Sequence, residues 1–383
     1  MKFQLRKAEI YDMAAIFQLY ASEYGDTYPN PIFMRTSLLE EAIKSEDRLI
    51  FVAQEIESKK IRGCLLFMYD QENFLAKAGA AVVHSRARGE GLTKKLILYG
   101  IDYIQENTFG LEVLYITTRT VHKAAQILTE KIGFKQLGIF PNVHKTQDYE
   151  THGLAALMFG EALAKRHIQY EQHPTVLPLF NIVRENIDLP QMKEAKIWNQ
   201  KNYTGKVGIL EVIEAKEFIK LRSKMLFEKK EIDLAFFPFH TPNLLITGPR
   251  QNIEVFAYVN EVDKHCVITG CKIDREVSFT DLFLAVNSIL RDRGIRYIEI
   301  ILRANRLNII DKILKAKFLP CGYVPAFQLE GGKRYDYVVF SRSFEILDFN
   351  NLELTGSSAQ YLKNYITSWE KTFLGNHFKN NHE

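Results

Sequence analysis

VHSRARGEGLTKKL, residues 83–96, is the stretch whose reading decides the fold. Ala78 to His84 has the small and β-branched side chains of a buried strand. That strand feeds Arg88-Gly89-Glu90-Gly91 and then, with no spacer, a helix from Leu92 to Glu106. The apolar stripe of the helix is Leu92, Leu96, Leu98, Ile101 and Ile104. Glycines permit a tight turn and close approach of a ligand to the backbone. The first amides of a helix lack intrahelical acceptors and point at whatever lies before them. A phosphate oxygen suits them, aided by the helix dipole, and Arg88, Lys94 and Lys95 add positive charge at the same end. The segment lacks the GK[ST] ending of a P-loop. It also lacks the GxGxxG of a dinucleotide-binding βαβ unit.

Working outward, Phe3–Arg6 reads as a strand and Ala8–Tyr20 as a helix, followed by the turn-rich Tyr24–Pro31. A second helix is expected at Ser37–Ser45. Leu49–Gln54 and Gly63–Tyr69 read as a hairpin across EIESKKIR. Beyond the loop come strand Val113–Thr118, helix His122–Lys131, and strands Phe134–Phe140 and Ala155–Phe159. The pattern is an α+β fold of α/β-like alternation, a mixed central sheet with flanking helices. Residues 167–201 contain Pro174, Pro178 and Pro190 and read as a connector. The second half restarts with strand Val207–Ile213 and helix Ala215–Phe227. Strand-like runs follow at Ile232–Phe237, Glu254–Tyr258 and Cys266–Thr269.

An internal echo organises the chain. A helix, strand Val113–Thr118, a helix, Gly133-Phe134 and a strand recur as helix Phe279–Arg293, strand Ile298–Leu302, helix Leu307–Leu314, Lys317-Phe318 and strand Tyr337–Phe340. Phe134 and Phe318 stand 184 positions apart. The fold is therefore expected to be duplicated. The expected units are 1–165, a connector 166–204, a degenerate copy 205–345 and a helical tail 346–383. At the same offset from Arg88 and Gly91 stand Lys272 and Arg275, in CKIDREVSFT, where no glycine turn exists and Asp274 and Glu276 bring negative charge. The second copy is expected to shape or cover the acceptor cleft. A split site using Arg303, Arg306 and AKFLPCGYVPAF is the other arrangement.

The 383 residues carry 46% hydrophobic and 25% charged residues with a net charge of +4, too weak a bias for a nucleic-acid partner. Cys64, Cys266, Cys271 and Cys321 form neither a CxxC pair nor a metal-ligand spacing, so reduced cysteines in a cytoplasmic protein are expected. No metal site is expected. No run of about 18 apolar residues suggests a membrane span.

Arg88-Gly89-Glu90-Gly91-Leu92-Thr93 resembles motif A of the GNAT superfamily of acetyltransferases, Arg/Gln-x-x-Gly-x-Gly/Ala, with Arg88 and Gly91 matching and Thr93 in the place of Gly/Ala. VHKAAQILTEKIGF, residues 121–134, is similar to motif B. Ala125, Leu128, Gly133 and Phe134 match, while His122 replaces the usual Asn and Thr129 the Tyr that customarily protonates the departing thiolate. The resemblance covers Met1 to about Leu163. It implies the acyl-CoA N-acyltransferase fold, with acetyl-CoA or another short acyl-CoA held by Val82, Val83, Arg88, Gly89, Glu90, Gly91, Leu92, Thr93 and Lys94. The acyl group would lie between strands Ala78–Val83 and Val113–Thr118. His84 and His122 are candidate bases, Tyr115 a candidate proton donor, and Tyr24 and Tyr28 a candidate acceptor wall. The implied activity is acetyl transfer to a primary amine, of a small metabolite sooner than a protein or peptide. The alternative is a noncatalytic acyl-CoA-binding regulator or sensor. Monomer and homodimer both stay open.

Overall fold

The computed structural model describes residues 2–25, 28–108, 110–145, 149–197, 207–234, 236–249, 252–274 and 276–375. The first half runs β1 (Phe3–Lys7), α1 (Met13–Tyr24), α2 (Thr36–Lys44), β2 (Arg48–Glu55), β3 (Ile61–Asp70), β4 (Leu75–Val83), α3 (Leu92–Asn107), β5 (Val113–Arg119), α4 (Ala124–Ile132), β6 (Lys135–Lys145) and β7 (Tyr149–Met158). Its strands lie in the order β1-β2-β3-β4-β5-β7-β6. β4 and β5 pair parallel, and their neighbours pair antiparallel.

One face of this sheet is covered by α1 and α2, where Ile16, Leu19, Tyr20, Leu39 and Ile43 pack on Ile50, Val52 and Leu66. The other is covered by α3, whose Leu92, Leu96, Ile97, Ile101 and Ile104 are buried at helical spacing against Phe51, Phe67 and Leu114. Gly100 lets α3 come close. A Cβ there would stand 2.3 Å from the Phe67 ring.

The 166–204 segment carries elements of its own among its described residues. It holds β8 (Glu171–Gln172), α5 (Leu177–Ile187) and β9 (Lys193–Glu194). Leu179, Phe180 and Val183 of α5 are buried in the central core. The remainder comprises β10 (Glu211–Ile213), α6 (Lys216–Glu228), β11 (Leu244–Thr247), β12 (Ile253–Asn260), β13 (His265–Ile273), α7 (Phe279–Asp292), β14 (Tyr297–Arg303), α8 (Leu307–Lys315), β15 (Leu319–Glu330), β16 (Lys333–Ser343) and α9 (Gly356–Phe373). The strand expected at 232–237 does not form among its described residues. Phe236 instead packs on Phe327 and Tyr337 ahead of Pro238, and the ladder position is taken by β11.

The second half has the strand order β10-β11-β12-β13-β14-β16-β15, with β13 and β14 as its parallel pair. It thus repeats the order of the first half. Ladder irregularities recur as well. One lies between Phe140 and His144 with Asn142 at φ +54°. The other lies between Val324 and Gln328 with Ala326 at φ +53°. The halves meet edge to edge, β6 against β15, in one 14-stranded sheet. The register at the seam places Gly138 opposite Gly322, again 184 positions apart.

The tail is not peripheral. α9 lies with α5 across the seam, packing on β6 and β15. Its Tyr361 hydroxyl donates to Gln136 O at 2.6 Å and accepts from Asn186 Nδ2 at 2.8 Å. The four cysteines are unpaired and buried. Among the described residues, no helix is long and apolar enough to cross a membrane.

Candidate functional site

β4 and β5 pair only from Leu75↔Val113 to Ala78↔Ile116, although the strands continue to Val83 and Arg119. The separation begins at a bulge. Ala80 adopts φ +53°, the β3–β4 register shifts between Cys64 and Leu66, and the Tyr20 hydroxyl donates to Ala80 O. A bulge bends a strand away from its neighbour, so β4 and β5 open towards their C-terminal ends. Val82 lies beyond the bulge with its side chain in the α1/α2 core, and Val83 packs towards α3.

The loop after β4 is built by local bonds. His84 Nδ1 accepts from Arg86 N at 3.2 Å and caps the short 3-10 turn Ser85–Ala87. Glu23, at the end of α1, accepts from Ser85 N at 2.8 Å and pairs with Arg88. Lys2 pairs with Glu90 at 2.6 Å, and Lys95 Nζ donates to Glu90 O at 2.9 Å. Gly89 and Gly91 are left-handed at φ +85° and +68°, and a Cβ on either would meet nothing within 4 Å. The first intrahelical bond is from Lys95 N to Gly91 O at 3.1 Å. Among the described residues no side chain caps α3, so the amides of Leu92, Thr93 and Lys94 are left without an intrahelical acceptor beside an exposed Lys94, an arrangement that could hold a phosphate.

Tyr24 and Tyr28 come together, rings 4.8 Å apart, beside Tyr20 and Phe33. Burial raises both hydroxyls above their usual range. The other expected groups fare differently. Tyr115 is packed against Phe239 and Phe327 of the second half, and burial pushes its hydroxyl well up. A proton donor is poorly served there. His122 is exposed in the turn before α4, next to Lys123, whose amide meets Glu353 Oε2 at 3.3 Å. Thr129 spends its hydroxyl on Ala125 O and Gln126 O, at 3.1 and 2.9 Å.

Sequence reading missed a polar array on the acceptor side. Arg119, ending β5, grips Glu150 of β7 through Nε and Nη2 at 2.7 and 2.6 Å. The Arg119 charge acts on both Tyr24 and Tyr28. His152 stands opposite Arg119 in the ladder, 3.7 Å from Glu150, and its ring lies 4.5 Å from that of His144 on β6. His144 Nδ1 contacts Asp263 Oδ2 in the β12–β13 turn of the second half. His265 lies beyond, bonded to Glu299 at 2.9 Å. Burial works to raise the Glu150 carboxyl, yet His152 and Arg119 bring it down to about 2. Burial and the neighbouring His144 bring His152 down to about 4. The available sequence signal was Glu150 and His152, alternating on a strand whose next inward positions, Leu154 and Ala156, are core.

Residues 13–134 match the sequence model of the Acetyltransferase (GNAT) family. No curated protein sequence matches the chain. Solved structures similar to it include a GNAT-family acetyltransferase from Streptococcus pneumoniae, with 20% identity over 41% of this chain and 99% of that one, at a TM-score of 0.36. Spermidine/spermine N-acetyltransferase SpeG from Vibrio cholerae is 19% identical over 43% of this chain and 98% of that one, at a TM-score of 0.35. An Escherichia coli ribosomal-protein alanine N-acetyltransferase is 20% identical over 42% of this chain and 97% of that one, at a TM-score of 0.35. The family match thus falls within the first half of the chain, from α1 to the end of α4.

Proposed function

We propose that the protein is an N-acyltransferase that moves a short acyl group, in the first place acetyl, from its CoA thioester to a primary amine. The observation that carries the reading is the conjunction of an opened β4/β5 gap with the uncapped amides of α3 at its mouth. Leu92, Thr93 and Lys94 would bind the pyrophosphate through backbone hydrogen bonds. Gly89 and Gly91 let it approach, and Arg88 and Glu90, fixed by Glu23 and Lys2, hold the loop in shape. Amides of β4 around Val82 and Val83 would orient the acyl carbonyl. The thioester supplies an activated acyl carbon, and the protein's main contribution is to hold an amine against it.

Tyr24, Tyr28 and Arg119 line the acceptor side, which the β12–β13 turn closes by a contact from Asn260 Nδ2 to Pro29 O at 3.3 Å. That closure favours a compact amine over an extended chain. The second half is proposed to be a diverged copy of the same fold, on the strength of its repeated strand order. Thr129, with its hydroxyl already bonded within α4, favours a second reading, an acyl-CoA sensor without turnover. Thiol release from acetyl-CoA in the presence of polyamines, amino acids and short peptides separates the two. Acylated amine supports transfer. Binding with no acylated product supports the sensor, and acylation of a hydroxyl or thiol removes the N-acyltransfer assignment.

A further inference from the structure

Glu150, His152, His144 and Asp263 form an unbroken line of side chains from the acceptor wall into the second half. Glu150 and His152 lie on β7 and His144 on the adjacent β6, so the line crosses one interstrand spacing of about 4.8 Å before it reaches Asp263. Arg119 and His152 stand abreast at its inner end, near the opened gap. At its outer end the His144 side chain is 27% exposed, while its partner Asp263 is 5% exposed. Past the ladder irregularity around Asn142, His144 pairs with Glu150 across the hairpin, and its ring meets that of His152 on the diagonal. His152 Nε2 is buried and, among the described residues, within hydrogen-bond distance of no partner, Glu150 Oε2 standing off at 3.7 Å. A buried polar atom left in that state calls for a ligand or water.

Resting on the transferase reading above, we propose that His152 and His144 carry the acceptor amine's proton outward to a site held by Asp263, so that the second half takes part in the chemistry. The amine nitrogen attacks the thioester carbon, the C–S bond breaks, and the amide forms. The amine's proton passes to His152 and on to His144, directly or through one water, and leaves to solvent from the exposed edge of His144. The thiolate takes a proton from solvent, so the exchange balances. His152 is the group that meets the amine. Asp263 is a positioning residue: it fixes the His144 ring through Nδ1. Two further features support this. His152, down at about 4 through burial and the charge of His144, rests neutral, with its ring lone pair not taken up by a proton. Burial works to raise Asp263, but the hydrogen bond and charge of His144 keep it lowered and ionised. The charged and titratable groups facing His144 are His152 and Glu150 from β7, Arg119 from β5, Asp263, and His265 with Glu299 from β13 and β14.

The test uses the full chain with acetyl-CoA, following thiol release with water and with a panel of polyamines, amino acids and short peptides as acceptors. Isothermal titration of acetyl-CoA accompanies it. His144→Gln should lower kcat about 10- to 100-fold while leaving acetyl-CoA affinity unchanged. Asp263→Asn should lower kcat less, because an amide can still meet the ring that the carboxylate holds. Asp263→Glu should restore part of the wild-type rate, which a purely structural role would not do. Wild-type kcat in both H144Q and D263N would overturn the proposal. Thiol release no faster than the enzyme-free rate from a wild-type protein that binds acetyl-CoA, or failure of the wild type to bind it, defeats the transferase reading itself, a separately visible result.

Discussion

Gly91 is the residue on which the cofactor reading turns. Its φ of +68° is a conformation that a β-branched side chain resists, and a Cβ there would project into the open space before α3. Gly91→Val should therefore cost strain of about 1–3 kcal/mol and obstruct the cradle. Acetyl-CoA affinity should fall at least tenfold by isothermal titration. An unchanged affinity in a folded variant would remove the loop from the site. Arg88→Ala should weaken binding less, since Arg88 is already paired with Glu23. His152 gives a second prediction, on stability against pH. Its folded value, about 4, lies below the ordinary 6.5, so the unfolded chain binds more protons between those values. Its contribution is complete above about 6.5 and is lost as pH falls towards 4, by up to about 3 kcal/mol. The loss of thermal stability between pH 7 and pH 4.5 should be clearly shallower in H152Q than in wild type. Equal slopes would show that burial does not hold His152 neutral.

The strands β6 and β15 meet with almost no space between their backbones. A Cβ at Gly138 would lie 2.4 Å from Cys321 O and 2.5 Å from Gly322 Cα, atoms that cannot move without breaking the seam. Gly138→Ala should cost about 2–3 kcal/mol, in the range of overpacking, and Gly356→Ala, where a Cβ meets nothing within 4 Å, serves as the comparison. A denaturation midpoint for G138A equal to wild type would show that the halves separate more easily than the continuous ladder implies. The sequence announces the elements of the first half well, because hydrophobic period and glycine punctuation are local signals. It does not announce the seam, since Gly138 and Gly322 are interpretable only as partners. It misplaces β11 for a physical reason: the aromatic run around Phe236 is buried by packing on Phe327 and Tyr337 and needs no ladder. The loop of the candidate site was legible for the same local reason that β4 and α3 were. The array from Arg119 to Asp263 was not, because it is assembled from three strands and a turn of the other half.

The whole molecule has two topologically alike halves, and the helix ends that would meet a cofactor differ between them. In the first half, α3 begins at a left-handed glycine and its first amides are uncapped. In the second, α7 begins at Ser278, whose Oγ accepts from Asp281 N at 3.3 Å, so one of the amides an anion would use is already bonded. Asp281 also places a carboxylate in the first turn, where it takes up the favourable field of the helix end. Lys272, at the offset of Arg88, is held by Glu231 at 2.7 Å, and Asp274 adds negative charge before the helix. Arg275, at the offset of Gly91, lies outside the described residues. The sequence expectation that the second half lacks the loop thus has a physical counterpart in the capped helix. The chain should bind one acyl-CoA per 383 residues. Titration of the full chain with acetyl-CoA and with the non-hydrolysable free CoA should both saturate near one equivalent, and Gly91→Val should weaken that single event without exposing another. Two equivalents of comparable affinity would mean that α7 releases its cap to a ligand, and the division between one catalytic and one completing half would fall.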